Sequence, residues 1–365
     1  MMIKDDELLT DTPFVAIDLD IMERNMSGMA NLARKANVKL RPHTKTHKSP
    51  DLAKLQLDYG ARGITTAKLG EAEVMVEHGV SDILIAYPLI GRKKLQRFYE
   101  LLQKAELTVG LDDIAVARGI SDVGNVLKRK IPIYIDVDTG LHRMGREAAE
   151  SVDYIAEIAK LPFIDVRGLM SHAGHAYMKA TDEERKQVAI DDAALMYQTK
   201  TSLAKLGIEV PEISVGATAT ARFILDTPHV TEMRPGMYVF NDRNVMAAGG
   251  VTEAECAATV FATIVSRPDK SRLIMDAGSK TLSQDACRLG GHGYIKGYPQ
   301  LTIKALSEEH GVIEVNGEHD LQVGSVIEII PNHICPVINL ADRLYGFREG
   351  ELVKTLPVLA RGKNT

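Results

Sequence analysis

Short apolar runs and amphipathic stretches alternate along the chain from residue 38 to residue 233. The apolar runs have the length and composition of buried strands, and the amphipathic stretches repeat their apolar residues at helical spacing. Strand-like runs occupy residues 38–40, 63–66, 82–86, 107–111, 131–137, 164–170, 212–215 and 230–233. Helical patterns occupy residues 20–35, 69–77, 93–104, 148–159 and 182–206. Eight strands that alternate with helices predict an α/β protein with a (β/α)8 TIM-type barrel.

The pattern changes after Gly249 and Gly250. From Cys256 to Gly362, β-rich runs such as ATVFATIV and SVIEIIP are separated by turn signals, which predicts a second, all-β domain. A chain of 365 residues also exceeds the size at which one core usually stops growing. We therefore expect a barrel over residues 26–245 and an all-β domain over residues 246–365, to which residues 1–25 contribute a strand.

Composition and charge narrow the class of protein. Hydrophobic residues make up 45% of the chain and charged residues 25%, which is ordinary for a soluble globular protein. The net charge of -5 argues against nucleic acid as the main partner. Neither a signal peptide nor an apolar run of membrane-spanning length is visible, so we expect a cytoplasmic protein. Its 3 cysteines include no Cys-x-x-Cys pair and are too few for a disulfide framework.

The first barrel strand ends in a basic loop with the sequence RPHTKTHKSP, residues 41–50. Pro42 prevents a central strand from continuing, and Ser49 followed by Pro50 is typical of a helix start. Lys45 therefore lies at the strand end where barrels keep their active sites. A loop among other cations can lower the pKa of a lysine for Schiff-base chemistry. The alternative is an ordinary basic surface loop.

The loops after strands seven and eight have the composition of a phosphate site. Strand seven runs into SVGATAT, residues 214–220, and strand eight into RPGMY, residues 234–238. Small residues and hydroxyls leave backbone N–H groups free to bind a phosphate. The same residues are also common in turns and helix caps.

Strands five and six end in further candidate residues. Arg143 lies between two glycines in DTGLHRMG, residues 138–145, and offers permanently charged donors suited to a phenolate or carboxylate. His172 and Tyr177, in SHAGHAY at residues 171–177, have side chains able to stack on a planar ring or to transfer protons. An exposed salt bridge for the arginine and a structural role for the histidine are the alternatives.

A second cluster, PNHICP, follows the apolar run at residues 325–330. In extended backbone, side chains two residues apart share a face, so His333 and Cys335 can converge on one metal ion. Two protein ligands leave positions for water or substrate, as a Lewis-acid role requires. His-x-Cys is also short enough to occur by chance.

Together these motifs resemble the fold-type III pyridoxal phosphate enzymes, which have an alanine racemase-like barrel, and within them the D-threonine aldolase and D-serine dehydratase family. The resemblance covers nearly the whole chain. It implies that Lys45 binds pyridoxal 5'-phosphate as a Schiff base, with Arg143 facing the phenolic oxygen and Arg234 the ring nitrogen. The implied catalytic residues are Lys45, His47 and His172. The implied cofactor-binding residues are Lys45, Arg143, His172, Tyr177, Gly216, Thr218, Arg234, Gly236, Met237 and Tyr238.

The resemblance also implies a divalent metal ion on His333 and Cys335, which would hold the β-hydroxyl of a D-3-hydroxy amino acid. The metal is expected to be zinc, manganese or magnesium. Cleavage of Cα–Cβ would give glycine and an aldehyde, whereas loss of hydroxide, as from D-serine or 3-hydroxyaspartate, would give a 2-oxo acid and ammonia. The loop sequences favour the aldolase. Cys335, which replaces the aspartate of aldolases, favours the dehydratase and a soft metal such as zinc.

Two other classes of protein are possible at this point. One is a non-catalytic pyridoxal phosphate carrier, which resembles the barrel alone and needs neither a second domain nor a metal pair. The other is a metal-dependent barrel hydrolase with His43 and His47 as ligands. The resemblance favours a homodimer that completes each active site across two subunits.

Overall fold

A computed structural model describes Ile3 and residues 6–365 of the chain, and the contacts divide these residues into two compact units. The barrel unit contains Gly28–Lys45, Pro50–Gly236 and Gly362–Thr365. The β unit contains the chain up to Ser27 together with Thr46–Ser49 and Met237–Arg361. The boundary between the units therefore passes through the basic loop, between Lys45 and Thr46.

The strands are numbered along the chain. They are β1 (Phe14–Asp18), β2 (Lys39–Leu40), β3 (Ile64–Thr66), β4 (Asp82–Ile85), β5 (Glu106–Leu111), β6 (Ile131–Asp138), β7 (Arg146–Glu147), β8 (Ile164–Met170), β9 (Glu212–Val215), β10 (Glu232–Met233), β11 (Ala258–Asp269), β12 (Arg272–Met275), β13 (Tyr294–Ile295), β14 (Leu301–Leu306), β15 (Gly311–Val315), β16 (Val326–Ile330), β17 (Arg343–Arg348) and β18 (Glu351–Pro357).

The helices are numbered in the same way. They are α1 (Asp6–Leu9), α2 (Leu19–Lys35), α3 (Pro50–Asp58), α4 (Leu69–Glu77), α5 (Arg92–Leu101), α6 (Ile114–Leu127), α7 (Ala148–Ala159), α8 (Asp182–Lys205), α9 (Thr218–Ala221), α10 (Arg243–Ala247), α11 (Ser279–Leu282) and α12 (Ile334–Leu340). None of the helices in the described part of the chain combines the length and the apolar character that crossing a membrane requires.

The barrel unit is built on parallel strands in the order β2-β10-β9-β8-β6-β5-β4-β3. The two ends of this sheet meet where His43 and Thr65 form a parallel bridge and where Thr65 N donates to Pro42 O at 2.7 Å. Each of these strands coincides with a strand predicted from the sequence, so the predicted (β/α)8 barrel is confirmed. The short β7 pairs with β6 and lies outside the closed order.

Close packing inside the barrel depends on two glycines. A Cβ atom on Gly110 would lie 2.7 Å from the Met170 sulfur, and a Cβ on Gly168 would lie 2.7 Å from the Tyr134 ring. Met170 and Tyr134 form a buried cluster with Leu84. Because any larger residue would collide with this cluster, the glycines permit large side chains to fill the barrel.

The β unit is organised around the long strand β11, which pairs with β1, β12 and β16. β1 also pairs in parallel with β17, so the N-terminal strand lies inside this sheet. Phe14 of β1 stacks on Phe261 of β11 with ring centroids 5.3 Å apart. The second, β-rich domain is thus confirmed. The sequence pattern did not predict β17 and α12; α12 has only 7 residues, which is too short for a helical period to show.

A buried carboxylate connects two arginines inside the barrel unit. Arg41 donates through Nε to Glu232 Oε2 at 2.7 Å and through Nη1 to Asp82 Oδ1 at 2.6 Å. Ser214 Oγ donates to the other oxygen of Glu232 at 2.6 Å and accepts from Arg234 Nη1 at 2.5 Å. The register of β9 and β10 places Ser214 directly opposite Glu232. Because Glu232 is fully buried, its charge depends on these contacts for compensation.

We predict that Glu232→Ala lowers the free energy of unfolding by about 3–5 kcal/mol, since it removes the buried carboxylate that Arg41 and Arg234 share and leaves Arg41 with Asp82 as its one carboxylate partner among the described residues. Glu212→Ala is the matched control, because Glu212 lies on the neighbouring strand and pairs with the exposed Lys39. We expect the control to lose about 1 kcal/mol or less. Urea denaturation monitored by circular dichroism measures both values, and equal losses would contradict the prediction.

Candidate cofactor and metal sites

Lys45 lies in a single 3-10 turn immediately after the first barrel strand. β2 ends at Leu40, before Pro42, and the turn is held by contacts within the barrel unit. His43 N donates to Pro235 O at 2.9 Å, Thr44 Oγ1 donates to Glu71 Oε1 at 2.7 Å, and Lys45 N donates to the His43 ring at 3.4 Å. The half-buried Lys45 side chain thus projects from a fixed backbone at the catalytic end of the barrel.

Two carboxylates, Asp138 and Asp112, shape the loop that carries Arg143, and Asp112 Oδ2 accepts from Gly145 N at 2.8 Å. Asp138 accepts hydrogen bonds from Gly140 N at 2.9 Å, from His142 N at 3.0 Å and from His142 Nδ1 at 2.8 Å. A Cβ on Gly145 would lie 2.6 Å from Asp138 N, so only glycine fits there. Among the described residues Arg143 forms no ion pair, and its side chain is exposed. The exposed salt bridge considered as an alternative is therefore absent from this part of the chain.

Three cations and two histidines share the catalytic end of the barrel. Burial and the charges of Lys45, Arg143 and Arg234 hold the pKa of His172 well below its usual range. Burial and the same cations do this for His43. Both imidazoles are therefore neutral at physiological pH, and the local field attracts anions.

The loop after β9 contains strained backbone and an unpaired hydroxyl. Ala217 has a φ of +139°, a conformation that L-residues rarely adopt. Thr218 Oγ1 is buried without a hydrogen-bond partner. A Cβ on Gly216 would lie 3.0 Å from Arg234 Nη2 and 3.2 Å from His172 Nδ1. The loop is therefore close-fitting, and one of its donors is left for a ligand.

Arg234 is held in one orientation at this loop. Its Nη2 donates to Ser171 O at 2.5 Å, and its Nη1 donates to Ser214 Oγ at the same distance. Arg234 is 5% exposed, and burial lowers its pKa while the neighbouring Glu232 and Asp136 charges oppose that shift. These contacts place a fixed guanidinium between β8, β9 and β10.

The structure also locates the other predicted residues. Tyr177 is half-buried in a 3-10 turn that follows His172, and Gly236 is the last residue of its segment in the barrel unit. Met237 and Tyr238 begin a segment of the β unit. His47 also belongs to the β unit, where it is fully buried and its Nδ1 accepts from Ser49 N at 3.1 Å.

Sequence reasoning missed Asp136, which lies on β6 and is 7% exposed. Burial raises its pKa to about 7, although the charges of Arg234 and Arg143 act in the opposite direction. A charged residue within the apolar run IPIYIDVD was the available signal, since buried carboxylates are rare without a partner.

In the β unit, His333 and Cys335 contact each other, but by a different geometry from the one predicted. The prediction of extended backbone through Cys335 is wrong, because α12 begins at Ile334 and only His333 keeps extended dihedral angles. Cys335 is nevertheless close enough to the His333 ring to raise its pKa. Cys335 Sγ also lies 3.4 Å from Oγ1 of Thr46, the residue that follows Lys45 in the chain.

Carboxylates surround this pair. The buried Asp242 accepts from Ile334 N at 2.9 Å, between the two candidate ligands, and His333 Nδ1 lies 2.5 Å from Asp285 Oδ2. Burial opposes protonation of His333, but Cys335, Asp242 and Asp285 raise its pKa to about 10. Within the described residues no group of three or more His, Cys, Asp or Glu side chains is arranged to hold a metal ion. The pair is thus an anionic, two-ligand site.

Comparison with known proteins adds independent observations. Residues 17–244 match the alanine racemase N-terminal domain, and residues 257–347 match a putative serine dehydratase domain. The chain is 33% identical over 359 residues to a D-threonine aldolase from an Arthrobacter species, covering 96% of this chain and 93% of that protein. It is 32% identical over 351 residues to D-threo-3-hydroxyaspartate dehydratase from Delftia sp. HT23, covering 90% and 92% respectively.

Solved structures agree with these matches. The crystal structure of D-threonine aldolase from Filomicrobium marinum has a TM-score of 0.91 to this chain, with 32% identity over 97% of this chain and 96% of the other. The chain belongs to the D-threonine aldolase and D-serine dehydratase family. Members of this family are fold-type III pyridoxal phosphate lyases, so the family predicted from the motifs is confirmed.

The barrel residues fit the cofactor of this fold-type III family. An anionic phosphate suits the cationic field of Lys45, Arg143 and Arg234, and the unpaired Thr218 hydroxyl supplies a donor where the backbone is strained. The predicted metal pair has a parallel in the Delftia dehydratase, of which a cysteine-to-alanine mutant has been solved in a metal-free form. A thiolate and an imidazole in anionic surroundings fit a divalent cation.

For this family member we predict that Asp136→Asn raises the stability of the cofactor-free protein at pH 8 by about 2–4 kcal/mol. The folded-state pKa of about 7 exceeds the ordinary value, so the aspartate favours folding below about pH 4 and loses that contribution as the pH rises to 7. Denaturant midpoints of wild type and variant should therefore converge toward pH 4. Asp153→Asn, at an exposed position on α7, is the control. A difference in denaturant midpoint between wild type and Asp136→Asn that stayed constant from pH 4 to pH 8 would contradict the prediction.

Proposed function

We propose that this chain is a D-threonine aldolase that depends on pyridoxal phosphate and a divalent metal ion and cleaves D-3-hydroxy amino acids to glycine and an aldehyde. The observation that carries the proposal is the combination of Lys45 in a cationic barrel mouth with a separate anionic His333–Cys335 pair. Similarity to D-threonine aldolases over nearly the full chain supports it. We also propose a cytoplasmic homodimer.

The proposed cofactor contacts follow from the barrel residues. Lys45 would hold the cofactor covalently, Thr218 and the backbone after Gly216 would bind its phosphate, and Arg234 would face its ring nitrogen. When bound, the ring would withdraw electrons from the substrate Cα, and the metal would acidify the hydroxyl that it holds.

The protein's own side chains supply the remaining steps. Arg143, exposed at the barrel mouth, is suited to bind a carboxylate or phenolate. The neutral His172 imidazole is a proton acceptor at physiological pH, because the surrounding cations disfavour its protonated form. Cys335 contacts Thr46, the neighbour of Lys45 in the chain.

Dehydration is the second candidate, and Cys335 favours it. A thiolate ligand selects a soft metal such as zinc, which assists the departure of hydroxide from Cβ. The products would then be a 2-oxo acid and ammonia.

The two other classes of protein considered, the non-catalytic carrier and the barrel hydrolase, have less support. A barrel-only carrier would lack the serine dehydratase domain that residues 257–347 match. In a hydrolase, His43 and His47 would be ligands, but their Nδ1 atoms accept backbone hydrogen bonds here.

We predict that the purified protein converts D-threonine to glycine and acetaldehyde, that chelation abolishes turnover, and that adding back zinc or manganese restores it. Removal of the ion leaves the β-hydroxyl without an acidifying partner. Product chromatography distinguishes the candidates: 2-oxobutyrate and ammonia would establish the dehydratase instead. Full activity after exhaustive chelation would contradict the metal requirement, and L-threonine serves as the negative control substrate.

We further predict that Lys45→Gln abolishes the visible absorbance of the bound cofactor, because the amide cannot form the covalent bond to it. Lys48→Gln is the matched control in the same loop. The Lys48 ammonium donates to Asn339 Oδ1 at 2.8 Å, a contact that an amide can retain. We expect the control to keep the absorbance. If the Lys48 variant lost the absorbance and the Lys45 variant kept it, Lys48 would be the residue that binds the cofactor covalently.

A further inference from the structure

We propose that Asp285 is a positioning residue of the metal pair: it accepts the Nδ1 proton of His333 and so directs Nε2 of the ring toward the metal ion. The inference rests on the proposed function, since it assumes that His333 is a metal ligand. It adds a specific role for a residue on a loop that precedes the pair by almost fifty positions in the chain.

The contact itself defines the tautomer. The Asp285 carboxylate oxygen lies 2.5 Å from His333 Nδ1. An ionised carboxylate only accepts hydrogen bonds, so Nδ1 must carry the proton. When a metal ion displaces the proton from Nε2, that atom offers the electron pair the ion requires, while Nδ1 keeps the proton that Asp285 accepts. Carboxylate partners of this kind orient ligating histidines and raise their basicity.

The loop that carries Asp285 is held in place by contacts that do not use its carboxylate. Asn332 Nδ2, next to His333, donates to Asp285 O at 2.9 Å and to Gly291 O at 2.8 Å. Asn244 Nδ2 donates to Ala286 O at 3.3 Å, and the Arg243 guanidinium donates to the carbonyl of Gly290. Removal of the Asp285 carboxylate should therefore leave the loop in position.

The other nearby carboxylate has a different task. Asp242 is fully buried and accepts from the backbone N–H groups of Val245 and Ile334, so it fixes the backbone of the pair. Asp285 touches the ring of His333 and, in the described part of the chain, does not complete a three-ligand metal group. A role as the partner of a ligand fits this arrangement better than a role as a third ligand.

A simple ion pair is the competing explanation. The side chains of His333 and Asp285 are 33% and 46% exposed, and ion pairs of that exposure contribute little to stability. Such a pair would have no effect on metal affinity beyond that of any nearby charge. The two explanations therefore differ in metal binding and not in folding.

The test measures zinc affinity of the cofactor-loaded, metal-free full chain by competition with a chromophoric chelator. Asp285→Ala should weaken zinc binding about 10–100-fold. The zinc affinity of Asp285→Asn should lie between those of Asp285→Ala and wild type, because the amide oxygen accepts the same proton but carries no charge. Asp269→Asn is the control, because Asp269, the last residue of β11, is likewise an exposed aspartate of the β unit and accepts from Ser271 N at 2.9 Å. It should bind zinc as wild type does.

His333→Ala and Cys335→Ala separate this inference from the proposed function. If these two variants lose zinc while Asp285→Ala binds it within twofold of wild type, the role of Asp285 is wrong and the metal site stands. If His333→Ala and Cys335→Ala both bind zinc as wild type does, or if wild type binds no zinc, then the metal site and the role of Asp285 are both wrong. Circular dichroism checks that each variant is folded.

Nitrogen NMR of zinc-loaded wild type provides a second measurement that needs no Asp285 variant. The shifts should show His333 protonated at Nδ1 and metal-bound at Nε2. A signal with zinc on Nδ1 would overturn the inference even if the Asp285 variants fail to fold.

Discussion

The geometry of the barrel site depends on one buried carboxylate, Glu232. It accepts from Arg41 directly and from Arg234 through the hydroxyl of Ser214. Asp82 also pairs with Arg41, but Glu232 is the carboxylate that both arginines share, and a buried charge that loses its partner costs several kcal/mol. These contacts join residues of β9 and β10 to the residue that follows β2. The strand that delivers Lys45 is therefore tied to the arginine that faces the candidate cofactor loop.

The two units carry opposite local charge. In the barrel unit, Lys45, Arg143 and Arg234 create a field that keeps two histidines neutral. In the β unit, carboxylates and a thiol surround His333 and favour its charged form. The first environment suits an anionic cofactor and the second a cation, because fixed charges lower the cost of binding the opposite sign. The net charge of -5 for the whole chain does not reveal this separation.

The barrel was predictable from the sequence because parallel strands buried on both faces read as continuous apolar runs. Lys45 and the loop after β9 were predictable for a related reason, since active-site groups of a barrel follow its strands. Asp136 gave a signal, a charge within an apolar run, that was missed. Glu232 and Asp285 were not predictable, because each acts through partners distant in the chain and periodicity carries no information about which polar groups meet in space. The backbone at Cys335 was misjudged because a helix of one or two turns leaves no measurable period.

The fixed position of Arg234 also bears on the role proposed for the metal pair. Both of its terminal nitrogens are engaged, one by Ser214 and the other by the Ser171 carbonyl, so the guanidinium cannot turn away from the cofactor loop. A ring nitrogen that faced it would stay unprotonated, because a second positive charge there would be repelled. An unprotonated ring withdraws electrons less strongly. More of the activation must then come from the substrate's hydroxyl, which is the task proposed for His333, Cys335 and the carboxylate that orients them.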